Sequence, residues 1–400
     1  MFRLGLIVNP VAGVGGPAGL KGSDGVDIQQ QAISAGYQPN GPKQAKRLIA
    51  ILNKLCGNYQ LSIELKTCAN SMGESYCDGR DMLPLSAIEK TTVVYQPIDN
   101  KLLYQSSGTD SERASVALIE HGVDLLLFVG GDGTARNIFD GIGDGHPVLG
   151  VPAGVKIQSS VFAVSTEAAA HIVMEELKRY YGNLEHVSKS YSLLKQCQQR
   201  EVMDIDEPLL RQGIVAAKHY GYLSVLDGRS RLQGSKSRRK VAGDDHCLGI
   251  AQEVLARMEP DTFYVLGPGS TTFSIKQQMG GGTLLGVDVY QNQTLIMEDA
   301  NQQQLEQRLS SDSQWCLIVT CIGGQGFVIG RGNQQISFTL LSTLSKSRLW
   351  IVATVSKLVE LQGRPLLIDS GSTEINTHLS GHTKVITNNN EQTAYPINIV

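Results

Sequence analysis

The sequence predicts an α/β protein with a Rossmann-like, doubly wound amino-terminal domain and a second region that is β-rich and then α/β again. Three observations carry this. Short apolar runs of strand length alternate with segments of helical period. The run over residues 123–129 is almost wholly apolar, as a central parallel strand covered on both faces must be. Glycine makes up 43 of the 400 residues, against roughly 7% in ordinary chains, and it gathers in clusters that suit loops approaching a ligand closely.

The elements follow in order. An apolar run over 4–9 reads as a buried strand, ended by Pro10 and then by Gly13, Gly15, Gly16, Gly19, Gly22 and Gly25, which make a long flexible loop. Leu48, Ile51, Leu52 and Leu55 fall at helical spacing within 43–55, and an alternating strand follows over 61–65. Residues 71–110 have little periodicity and read as an irregular excursion before a helix over 111–121. The strand 123–129 stops at Gly130-Gly131-Asp132-Gly133-Thr134, after which a helix over 135–140 and a strand over 148–151 complete the alternation. Strands and helices in that order imply a doubly wound parallel sheet, with ligands at the carboxyl ends of the strands. The first domain is read as residues 1–160.

Residues 161–400 are read as the second domain. A helix over 166–181 precedes a β-rich stretch over 184–235, with candidate strands at 190–194, 213–217 and 220–226. A helix over 244–258 follows. Alternation then returns with strands at 263–266, 284–290, 315–321 and 350–354, helices at 270–279 and 301–309, and a loop at 323–326.

Composition narrows the function. The 35 basic and 38 acidic residues leave a net charge of −3, so there is no overall field to hold nucleic acid or an anionic membrane. No apolar run approaches the ~18 residues that span a bilayer, and the stretch 4–8 is shorter than the ~7–15 residues of a signal-peptide core. A cytoplasmic protein is expected. The seven cysteines are odd in number, spread out and without a CxxC pair, which argues for reduced thiols and against a disulfide framework or a zinc site. None of the eight histidines has metal-ligand spacing, although His246 stands beside Asp244 and Asp245. A GxSxG elbow is missing, which excludes a serine hydrolase of that type.

The chemistry centres on Gly130–Thr134. Glycines between a buried strand and a helix let backbone N–H groups approach phosphate oxygens, and the helix adds the positive end of its dipole. Asp132 stands where it can orient Mg²⁺ or accept a hydroxyl proton. The plain alternative is a glycine-rich turn with an Asp helix cap.

At these residues the chain resembles the superfamily of NAD kinases, diacylglycerol kinases and sphingoid-base kinases. Three segments sharpen the likeness. Asn9-Pro10-Val11-Ala12-Gly13 is similar to the NPxxG element that ends the first strand of these kinases. Gly267-Pro268-Gly269-Ser270-Thr271-Thr272-Phe273 is similar to the TGSTAY segment that lines the NAD-kinase dinucleotide pocket. Residues 318–326, with Arg331-Gly332-Asn333-Gln334-Gln335-Ile336-Ser337, resemble the longer ATP-NAD kinase-like proteins. Two departures stand out. Phe273 replaces the pocket Tyr, and the nearest counterpart of the family's ribose-holding Asn-Glu pair is the acidic run 201–207, which lacks the Asn.

The resemblance implies a NAD-kinase-like fold and a phosphotransferase that makes NADP from NAD with Mg²⁺ and ATP or polyphosphate. Asp132 would be the general base. Gly130, Gly131 and Gly133 would cradle the donor phosphates, with Asn9 and Gly13 beside them, and Thr134 would cap the following helix. Gly269, Ser270, Thr271 and Thr272 would line the acceptor pocket. Asp206 and Glu207 would hold ribose hydroxyls or Mg²⁺, or else belong to a solvated loop. A second glycine loop, 150–160, brings Lys156 and two hydroxyls toward the same edge, where Lys156 would neutralise a transferring phosphate. The basic run Lys236-Ser237-Arg238-Arg239-Lys240 is a phosphate clasp or a solvated loop. Family members are commonly homo-oligomers. Other readings keep the superfamily but change the acceptor to a lipid or another small molecule, or make the chain a non-catalytic NAD(P)-binding regulator.

Overall fold

A computed structural model describes residues 1–20, 26–77, 88–97, 106–155, 157–185, 192–205, 217–228, 232, 244–309 and 314–399. The chain divides into two compact units. The first holds residues 1–14, 22–207 and 215–235, and the second holds 15–21, 208–214 and 236–400.

The first unit begins with β1 (Phe2–Val8), followed by α1 (Val26–Ser34), α2 (Asn40–Asn58) and β2 (Ile63–Cys68). Next come β3 (Ile88–Tyr95), α3 (Gly108–Glu120), β4 (Leu125–Gly130), α4 (Asp132–Ile142) and β5 (Pro147–Pro152). Then follow α5 (Thr166–Glu185), β6 (Cys197–Ile205) and β7 (Ala217–Leu226). Among the described residues these make one seven-stranded sheet ordered β3-β2-β1-β4-β5-β7-β6. Every pairing is parallel except β6 with β7. All six residues of β4 and of β5 are buried, which is why their sequences are apolar throughout. The apolar face of α2 buries Leu48, Ile49, Leu52 and Cys56 in the same core.

The chain order reverses across this sheet. It runs from β1 out to β3 on one side and resumes at β4 on the other, so β1 and β4 are neighbours. Such a switch point opens a crevice at the carboxyl ends of the two strands. Val8 pairs with Val129 there, which brings the Asn9–Gly13 turn alongside Gly130–Thr134.

The second unit holds α6 (Asp244–Arg257), β8 (Phe263–Leu266), α7 (Ser270–Gln278), β9 (Asp288–Gln291), β10 (Thr294–Met297), α8 (Gln302–Arg308) and β11 (Trp315–Thr320). It continues with β12 (Phe327–Ile329), α9 (Phe338–Thr343), β13 (Leu349–Val352), α10 (Val355–Glu360), β14 (Leu366–Ile368), α11 (Thr373–Leu379), β15 (Gly381–Asn388) and β16 (Glu391–Ile399). The sheet order is β10-β9-β8-β11-β13-β15-β16-β14-β12, nine strands among the described residues. Period-two alternation sorts the side chains. Val265, Leu317 and Ile351 face one side with α8 and α9, while Leu266, Ile318 and Val352 face the other with α6 and α7.

The α/β class and the central strands agree with the expectation. The interval 71–110 is corrected, because it contains β3 at the sheet edge, where polar, half-exposed residues weaken the pattern. Residues 184–235, expected with the carboxyl-terminal region, supply β6 and β7 to the first unit's sheet. Of the candidate strands, 213–216 and 190–191 lie outside the described residues, and Leu193–Gln196 is a 3-10 turn. Residues 284–287 are a loop, and β9 starts at Asp288. The basic run 236–240 lies outside the described residues.

Candidate active site

The site in the first unit is built from three turns. At the end of β1 the Asn9 backbone N–H donates to Val129 O at 2.9 Å, and its side-chain oxygen accepts from the Val11 N–H at 3.1 Å. The Asn9 amide then donates to the Thr134 hydroxyl at 3.0 Å, tying the first turn to α4. Gly13 has φ +77°, and a Cβ there would overlap the carbonyl oxygen of Ala153. Only glycine takes that conformation cheaply and leaves room for that approach.

After β4, the Gly130 carbonyl accepts from Ala153 N at 2.8 Å and Gly154 N at 3.1 Å. A Cβ on Gly154 would come 2.8 Å from the Gly131 Cα, so the two glycine loops touch backbone to backbone. Asp132 opens α4, and its carboxylate is clamped by the second loop. Oδ2 accepts from Gln158 N at 2.8 Å and Oδ1 from Ser159 N at 2.9 Å. Each carboxylate oxygen carries a further lone pair, and Asp132 is only half-buried. The two backbone bonds hold the carboxylate rigidly at the start of α4.

Two expectations are corrected. Thr134 does not cap α4. The helix starts at Asp132, so Gly131 holds the N-cap position, without a side-chain hydrogen bond, and the Thr134 hydroxyl is spent on Asn9. The two hydroxyls of the second loop also turn away from this edge. Ser159 Oγ accepts from Met203 N at 2.9 Å and Ser160 Oγ from Glu201 N at 2.9 Å, which staples the loop to β6. Gly133 lies in the first turn of α4. Lys156, Asp206 and Glu207 lie outside the described residues.

The segment compared with TGSTAY falls in the second unit, at the carboxyl end of β8. Gly269 takes φ 129° as the N-cap of α7, and its N–H donates to Leu284 O at 2.9 Å. Ser270 is exposed, while Thr271 and Thr272 are buried. Thr272 Oγ1 donates to Gly269 O at 2.9 Å.

Beneath this turn lies a pair that composition and spacing do not reveal. Lys276 Nζ meets Asp288 Oδ2 at 2.8 Å with both side chains fully buried, and it donates to Thr283 O and Gly286 O at 2.9 and 3.0 Å. Asp288 also accepts from Thr283 N and Asp299 N at 2.8 and 2.7 Å. Burial pushes the Lys276 ammonium below its ordinary value, against the pull of Asp288. The pair fixes the loop whose Leu284 carbonyl holds Gly269. An isolated Lys and Asp twelve residues apart give no signal in sequence. The backbone clamp on Asp132 was equally hidden, since N–H donors belong to every residue type except proline.

Among the described residues, no group of three or more His, Cys, Asp and Glu side chains is placed to hold a metal ion. A single carboxylate such as Asp132 fits an Mg²⁺ ion that keeps most of its waters and arrives on nucleotide phosphates, as that ion commonly does. No helix among the described residues is long and apolar enough to cross a membrane.

A sheet switch point with two apposed glycine loops and a clamped aspartate defines a phosphate-handling α/β protein. The chain matches the ATP-NAD kinase N-terminal domain over residues 5–180 and the ATP-NAD kinase C-terminal domain over residues 260–397. Neither the curated proteins nor the solved structures gave a match. The two domain matches take in most of the chain, which belongs to the ATP-NAD kinase family and is a phosphotransferase of the NAD kinase type.

Proposed function

We propose that the protein transfers a phosphoryl group from ATP or polyphosphate to the adenosine-ribose 2′-hydroxyl of NAD, making NADP. The observation that carries the reading is the Asp132 carboxylate, clamped by Gln158 N and Ser159 N at the carboxyl ends of β1 and β4. The acceptor oxygen forms a bond to the terminal phosphorus. The bond from that phosphorus to its bridging oxygen breaks, and the leaving group departs with the electron pair. The hydroxyl proton passes to Asp132, whose clamp keeps the receiving oxygen aimed.

Gly130, Gly131 and Gly133 lie where their backbone approaches the donor phosphates without side chains intervening, and the uncapped start of α4 favours negative charge. Asn9 and Gly13 shape the adjoining turn. Mg²⁺, held by donor phosphates with Asp132 in reach, supplies charge neutralisation when bound. In the second unit Gly269, Ser270, Thr271 and Thr272 contribute to the acceptor pocket. Lys156, Asp206 and Glu207 are assigned here from family likeness alone, to the transferring phosphate and the ribose. We extend the reading to a cytoplasmic homo-oligomer on the same ground.

The test is NADP formation by purified protein with Mg²⁺, NAD and either ATP or polyphosphate, with Asp132→Asn as control. Product that vanishes in the variant supports the reaction and names the donor. No product with either donor overturns it.

A further inference from the structure

The parallel strands of the second unit end in a crevice of their own. After β8 the chain enters α7, which buries Ile275 on the face holding Leu266 and Ile318. After β11 the chain passes through edge strand β12 into α9, which buries Leu340 and Leu341 on the opposite face with Leu317 and Val319. Neighbouring strands whose continuations leave to opposite faces part at their carboxyl ends, where ligands of α/β sheets sit.

Three features converge there. Gly269 caps α7 with no side-chain hydrogen bond, and a Cβ on it would lie 2.5 Å from the Thr320 Cγ2, so the turn lies directly against the end of β11. Thr320 is 7% exposed, and its Oγ1 accepts from Lys357 Nζ at 3.1 Å. The hydroxyl thus keeps its own proton to donate, and no acceptor for it is found among the described residues. Thr271, in the first turn of α7, is fully buried with a hydroxyl that has no partner among the described residues.

Lys357 is the unusual member. It is half-buried on α10, and among the described residues its ammonium is bonded to a hydroxyl, with no carboxylate at ion-pair distance. Burial lowers its proton affinity, while Cys321, Cys247 and Glu360 nearby raise it. A cation set on a buried hydroxyl, beside a helix start with unspent N–H groups, is a combination of donors that lacks an anion.

We propose that Lys357, Thr320 and the first turn of α7 bind a phosphoryl group of a nucleotide ligand in the second unit. Lys357 acts as the point charge, Thr320 as a hydroxyl donor polarised by it, and the α7 N–H groups as the remaining donors. The inference rests on the proposed function for the choice of nucleotides and for reading the start of α7 as part of a ligand pocket; Lys357 and Thr320 are the residues it adds. The source of the phosphoryl group, acceptor dinucleotide or donor, is decided by the test.

The experiment is calorimetric titration of the full chain with inorganic pyrophosphate, NAD and ATP, for wild type, Lys357→Met, Lys357→Arg and Thr320→Val. Lys357→Met is expected to lose one pyrophosphate per chain or to weaken it about ten-fold, the effect of one charge-assisted contact. Lys357→Arg should stay within about three-fold, and Thr320→Val should fall between. Weakening confined to NAD names the acceptor as the source, and weakening confined to ATP names the donor. A folded Lys357→Met that binds all three ligands as the wild type does overturns the site. Should Lys357→Met fail to fold, Thr320→Val decides, and wild-type binding by it is equally fatal. Because binding is read without turnover, absence of NADP formation leaves this result interpretable.

Discussion

Replacing Asp132 with Asn exchanges one oxygen for an NH₂ group and separates two roles of that side chain. In the native site each carboxylate oxygen accepts one backbone N–H, from Ser159 at 2.9 Å and Gln158 at 2.8 Å. An amide satisfies one of them and turns a donor toward the other. The structural cost is one lost charge-assisted bond and one unpaired N–H, about 1–3 kcal/mol. The chemical cost, if the group takes the hydroxyl proton, is about 10²–10⁴-fold in turnover, or roughly 3–5 kcal/mol of barrier at about 1.4 kcal/mol per decade. Asp132→Ala removes both bonds and so destabilises further, yet it cannot be a worse base than Asn. The assay is NADP formation beside a urea denaturation curve for each variant. Equal, severe activity loss with graded stability loss supports the base. Turnover in Asp132→Asn within a few-fold of wild type refutes it, and activity that follows stability from Asn to Ala refutes it as well.

Further outcomes are expected elsewhere. Gly13→Ala meets both the positive φ and the Ala153 carbonyl, so it should destabilise the first unit by more than the ~1–2 kcal/mol of a left-handed residue alone, measurable by urea midpoint, and should raise the KM for ATP. Lys276→Met leaves Asp288 buried without its cation and should cost about 3–5 kcal/mol, while Lys276→Met with Asp288→Leu should recover much of it; a double variant no better than the single one would refute the pair's isolation. Burial lifts the Cys56 thiol to about 11 and the half-buried Cys197 thiol to about 12. The protonated thiols are therefore favoured in the folded state, and stability should fall as pH rises from about 9 toward 11–12, at up to ~1.4 kcal/mol per pH unit per group. Denaturation midpoints that do not fall over that range in wild type, relative to Cys56→Ala, would contradict it. His146 is held below its ordinary value by burial, so stability should also drop as pH falls below about 6.5, with the drop reduced in His146→Gln.

Much of the site was readable without coordinates. The runs at β1, β4 and β5 are apolar because both faces of a central parallel sheet are buried, so their place in the fold is written in composition. Gly130–Thr134 and Asn9–Gly13 are legible because glycine opens backbone conformations closed to other residues and proline fixes φ. Edge elements were not. β3 carries Lys90 and β6 carries Gln198 and Gln199 on exposed positions, and the short strands and helices after residue 321 span too few residues to set a period.

The sequence by itself determined the α/β class, the two glycine-rich turns and the aspartate between a strand and a helix, since local residue choice suffices for each. Only the tertiary structure decided that Gln158 and Ser159 clamp Asp132 through backbone N–H groups, that Thr134 serves Asn9 and not its own helix end, and that Lys276 and Asp288 pair beneath the Gly269 turn. These depend on which distant segments the sheet order brings together, and hydrogen bonds to a backbone leave no mark on the identity of the residue that makes them.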